Sequence, residues 1–127
     1  MTMNPEIKAR WVEALRSGKY PQTTGVLHRT VPLDEAPAGF CCLGVLCELA
    51  ADDGVVTRET TVDEDLVDYR GPDGGVASAL LPQAVREWAG LPFDYGIDST
   101  GIGKGLTTLN DEGTPFAKIA DIIEEHA

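Results

Sequence analysis

Phe40-Cys41-Cys42-Leu43-Gly44-Val45-Leu46-Cys47-Glu48-Leu49-Ala50-Ala51 is the stretch whose reading decides the fold. Glu48 is its only charge, and apolar residues fall on every side of a helical wheel. A helix that is apolar all round must be wrapped by other elements, so a helix here is the floor of the core. By periodicity alone, a short apolar run also suits a buried strand. Length, Leu and Ala content, and an exit through Asp52-Asp53-Gly54 favour the helix.

The flanking sequence supplies the wrapping. Asn4-Pro5 offers a capping side chain followed by proline at the first helical position. Ile7, Trp11, Ala14 and Leu15 then recur at helical spacing until Ser17-Gly18. Residues 25–31 alternate weakly and predict a strand, and 32–39, with Pro32, Pro37 and Gly39, a loop. The β-branched run 55–62 predicts a second strand, with 66–70 as its partner and Asp63-Glu64-Asp65 as a solvated turn. Gly71-Pro72-Asp73-Gly74-Gly75 is a further turn. A helix starting at Pro82 sets Leu81, Val85 and Trp88 on one face and ends at Gly90. Residues 93–105 read as irregular and 106–110 as a helical turn. The last helix has Thr114 as cap, Pro115 at its first position, and Phe116, Ile119, Ala120 and Ile123 inward, with 124–127 fraying. The expected fold is a single α+β domain over 1–127: about four helices around the buried 40–51 helix, with a small antiparallel sheet from 25–31, 55–62 and 66–70.

Composition narrows the function classes. At 127 residues and 43% hydrophobic, the chain suits one globular core. It contains no apolar run long enough to span a bilayer, and its first residues lack the layout of a signal peptide, so the expected location is cytoplasmic. An odd, clustered set of three cysteines agrees, being a poor disulfide framework. The net charge of −11 disfavours nucleic acid and anionic membranes as partners. Residues 1–30 nevertheless hold five bases (Lys8, Arg10, Arg16, Lys19, Arg29) against two acids (Glu6, Glu13).

Several constellations invite chemistry. Cys41, Cys42 and Cys47 do not pair at zinc spacings, so no metal or other cofactor is expected. A cysteine nucleophile working with His28 would make the chain a small hydrolase or transferase; thiols in the most apolar stretch argue instead for packing. Residues 99–107 look like a phosphate loop, but Asp98 stands where the first glycine belongs and Gly105 replaces the hydroxyl residue. Residues 113–123 resemble the first half of a helix-turn-helix with no recognition helix after it. The best site candidate is the basic N-terminal third. If 21–31 runs back beside the first helix, Arg16, Lys19, Tyr20, His28 and Arg29 converge on an anionic, planar ligand. Alternatively these bases only balance the acidic remainder, or Arg16 and Lys19 complement the negative end of the helix.

Trp11-Val12-Glu13-Ala14-Leu15-Arg16-Ser17-Gly18-Lys19-Tyr20-Pro21-Gln22, Cys41-Cys42-Leu43-Gly44-Val45-Leu46-Cys47 and Leu109-Asn110-Asp111-Glu112-Gly113, with Phe116 and Ile119-Ala120-Asp121, carry a family likeness. They resemble small uncharacterised proteins encoded by tailed phages and their actinobacterial hosts. The resemblance brings no activity and no catalytic residues. It implies a phage accessory protein in a bacterial cell, binding a host protein or sequestering a nucleotide-derived immune signal. A homo-oligomer would add pocket walls to so small a domain. The remaining alternative is an interaction module that uses the acidic face.

Overall fold

The computed structural model describes residues 3–33, 36–99 and 104–127, without the side chains of Asp98, Ser99 and Lys104. The first helix, α1 (Pro5–Arg16), begins as its sequence dictates: Asn4 Oδ1 accepts from the Glu6 and Ile7 amides at 3.0 and 3.5 Å, and Pro5 opens the first turn. It buries Ile7, Trp11, Val12 and Leu15, and Gly18 at φ +75 reverses the chain. Two short strands follow, β1 (His28–Arg29) and β2 (Gly39–Phe40), paired antiparallel with His28 opposite Phe40.

The decisive stretch folds as α2 (Cys42–Asp52), and Cys42 through Cys47 are buried without interruption. The helix begins two residues later than its composition suggests. Phe40 spends its backbone on the chain before β1, donating to the Pro21 carbonyl at 2.8 Å and accepting from the Thr23 amide at 2.8 Å. Cys41 is then the cap, its Sγ accepting from the Gly44 amide at 3.3 Å.

A three-stranded antiparallel sheet comes next: β3 (Thr57–Thr60), β4 (Val67–Arg70) and β5 (Val76–Ala77), in that order. The expected pairing of the 55–62 and 66–70 segments is present, with Arg58 opposite Tyr69. The expected third strand is not 25–31. That segment yields only β1, joined to this sheet by a single bridge from Arg29 to Leu66. Its extension is cut short by Gly25 at φ +83 and by Leu27, whose carbonyl is committed to the Cys41 amide at 3.1 Å. The edge goes instead to Val76–Ala77.

α3 (Gln83–Ala89) runs from Pro82 to Gly90 in the left-handed region, with Leu81, Val85 and Ala89 buried and Trp88 packed against the core. Strands β6 (Asp98–Ser99) and β7 (Lys104–Gly105) pair antiparallel and lead straight into α4 (Leu106–Asp111). Of the stretch weighed as a phosphate loop, residues 100–103 lie outside the described residues. The last helix, α5 (Phe116–His126), has Pro115 rather than Thr114 at its cap, because the Thr114 carbonyl is taken by Gln22 Nε2 at 2.8 Å. Its end does not fray: the Ala127 amide still bonds Ile123 O at 2.9 Å. Phe116, Ile119, Ala120 and Ile123 are buried as the spacing requires. The five helices and small antiparallel sheets make an α+β fold, and α2 contacts α1, α3, α4 and β2.

Candidate functional site

The thiols come first, because they are the strongest nucleophiles in the sequence. Cys41 is 2% exposed and Cys42 and Cys47 are fully covered. Burial pushes the Cys41 thiol up to about 11 and the other two well above their ordinary range. At neutral pH all three are protonated. Cys42 Sγ is turned to the Leu106 carbonyl at 3.6 Å, and His28 stacks on Phe40. The cysteine–histidine pairing finds no support in this geometry.

Around the start of α2 lies a polar clamp that the sequence reading overlooked. Asn110, fully buried in α4, accepts at Oδ1 from Gln22 Nε2 at 2.9 Å and from the Cys42 amide at 3.2 Å. Its Nδ2 donates to Thr23 O at 2.8 Å. Trp11 Nε1 donates to Cys42 O at 2.9 Å, and Asp111 Oδ1 accepts from the Gly25 amide at 2.9 Å. Gly44 lies so close beneath Leu27 that a Cβ would stand 1.8 Å from its carbonyl oxygen. Trp11, Gln22, Cys41, Cys42, Gly44, Asn110 and Asp111 all take part. Their contacts show what they do here: they hold four separated pieces of chain at one point.

The predicted ligand residues separate into three places. Lys19, Tyr20 and His28 are brought together through Phe40. The Lys19 ammonium lies 5.7 Å from the Tyr20 ring centroid, Tyr20 meets Phe40 edge-on at 5.3 Å, and Phe40 stacks on His28 at 4.0 Å. A shallow pocket of about 260 Å³ opens beside them, walled by Arg10, Glu13, Ala14, Lys19, Tyr20 and Leu49. Burial lowers the His28 pKa against the pull of Glu48, with Arg58 adding to the lowering, so its ring is neutral at pH 7.

Arg16 stands apart. It lines a larger groove of about 700 Å³ between α1 and α5. There its guanidinium holds Asp121 at 2.6 Å and Glu124 at 3.1 Å. Arg29 is separated again: it follows His28 in a strand, so the two side chains leave on opposite faces.

Glu48, the lone charge of the decisive stretch, is the hub of a further network. Its Oε2 accepts from the Tyr69 hydroxyl at 2.6 Å and from Arg58 Nε at 2.9 Å, while Arg58 Nη2 reaches Asp52 at 2.7 Å. Burial and Glu48 together raise the Tyr69 pKa far above its ordinary value. Hydrogen bonds to Glu48 and Asp52 raise that of Arg58. Such saturation suits anchoring of β3 and β4 onto α2 rather than proton transfer. A charge isolated among eleven uncharged neighbours was the available signal.

The class is defined by these features: a small α+β domain built on one wrapped helix, with sealed thiols and an open, partly basic pocket. The chain belongs to the family described as a domain of unknown function (DUF8296), matched over residues 3–127. No curated protein and no solved structure matches it. Among the described residues, no helix is long and apolar enough to cross a membrane.

Proposed function

We propose that this chain is a non-enzymatic binding protein of a phage, working in the cytoplasm of the bacterial host, that sequesters an anionic, nucleotide-like molecule at the Lys19–Tyr20 pocket. The observation that carries the reading is the placement of Lys19. It has no carboxylate partner among the described residues and sits over an aromatic ring at the rim of an open pocket. An ammonium beside an aromatic face suits a ligand with both a phosphate and a flat base. The burial of the thiols weighs against the enzymatic alternative. Arg16, engaged by two carboxylates of α5, serves this reading as a latch between helices and not as a ligand contact.

Calorimetric titration with ATP and with a cyclic dinucleotide tests it. Binding by the native chain that weakens roughly tenfold or more in Lys19→Ala, the loss of one charge-assisted contact, supports the reading. Tyr20→Ala is expected to weaken it less. No binding, or equal affinity in both variants, overturns it.

A further inference from the structure

Arg29 is held as charged side chains rarely are. It is 9% exposed, and its backbone is used by both neighbours, paired with Gly39 and bridged to Leu66. A guanidinium carries five N–H donors in a fixed planar fork. On Arg29, Nη2 reaches the Thr24 carbonyl at 3.3 Å, while Nε is buried with no partner. Among the described residues no carboxylate forms an ion pair with it. Arg10, Arg16, Arg58 and Arg70, all more exposed, each hold at least one, while the half-buried Arg86 also has none among the described residues and donates to the Pro92 carbonyl at 2.9 Å. Among the described residues, then, the most buried arginine has no carboxylate counter-charge. Removing a charge from water is costly unless something neutralises it.

A second orphan lies in the same segment. Thr23 is 1% exposed and its Oγ1 has no partner, although its amide and carbonyl are both bonded. Between the two, Gly25 at φ +83 turns the segment, and a Cβ added there would stand 3.9 Å from Arg29 Nη2. The Gly25 amide is tied to Asp111, which fixes the turn.

We propose that Arg29 is the receptor for a small oxyanion, a phosphate or carboxylate group of a ligand, which supplies the counter-charge that its guanidinium lacks among the described residues. The site lies on the opposite face of β1 from His28 and does not depend on the Lys19–Tyr20 pocket.

Thermal unfolding of the full chain, at fixed pH and ionic strength, in chloride, inorganic phosphate or acetate tests this. The native chain is expected to gain several degrees in phosphate or acetate over chloride, and which anion is the better shows which oxyanion the site takes. Arg29→Met keeps the side-chain stem but removes the charge. It is expected to be at least as stable as the native chain in chloride and to lose the anion-dependent gain; Arg29→Lys should keep part of it. No gain in the native chain, or the same gain in Arg29→Met, overturns the proposal, since a general salting effect would act on both. An Arg29→Met chain that fails to fold while Arg29→Lys folds also overturns it, because the charge would then be balanced within the chain.

Discussion

The first turn of α2 and the β3–β4–β5 sheet are held by different means. At the start of α2, the seven consecutive residues from Cys41 to Cys47 are all buried, and their polar groups meet partners brought from distant parts of the chain. The sheet is shallow. β3 faces water along most of its length, Val67 and Tyr69 are the inward residues of β4, and the edges are tied by pairs such as Arg70 with Glu59, diagonal neighbours across two strands. Surface pairs of that kind contribute little, whereas an unsatisfied buried group costs more than the bond was worth. Stability should therefore be concentrated at the start of α2, and the sheet should tolerate change.

Three substitutions sharpen or break that contrast, each followed by urea unfolding. Gly44→Ala should have the largest effect, about 4 kcal/mol or more, enough to unfold a marginal domain. The obstacle is the Leu27 backbone, which cannot swing aside as a side chain would. Asn110→Leu comes next at roughly 2–5 kcal/mol, since it orphans the buried Cys42 amide and the Thr23 carbonyl while Gln22 keeps Thr114. Tyr69→Phe should cost only about 1–2 kcal/mol, because Glu48 keeps Arg58 and is partly open to water. A Tyr69→Phe loss as large as that of Asn110→Leu would erase the distinction between the two regions.

The same contrast explains what the sequence could tell. The buried helix was legible because an uninterrupted apolar run has one consequence whatever surrounds it. α1 and α3 were legible because Asn4-Pro5, Pro82 and Gly90 act on backbone within a few residues. Asn110 was invisible as a clamp: its partners Gln22, Thr23 and Cys42 lie 68 to 88 positions away, and no local pattern reports them. Gly44 likewise sat unmarked within a predicted helix until Leu27 was seen against it. Of the five predicted ligand residues, only some come together. Side chains near in sequence, Lys19 and Tyr20, do meet, but Arg16 was captured by Asp121 and Glu124 from the far end of the chain. Arg29 left on the other face of β1, a strand far shorter than the 25–31 segment suggested.

Native-state thiol labelling tests the wrapped helix most directly. With Cys41, Cys42 and Cys47 all buried and protonated, none of the three should react with an aromatic disulfide reagent at pH 8 until denaturant opens the domain. All three should then appear together with the unfolding transition. One thiol reacting within seconds in the folded chain would contradict the account and return cysteine chemistry to consideration.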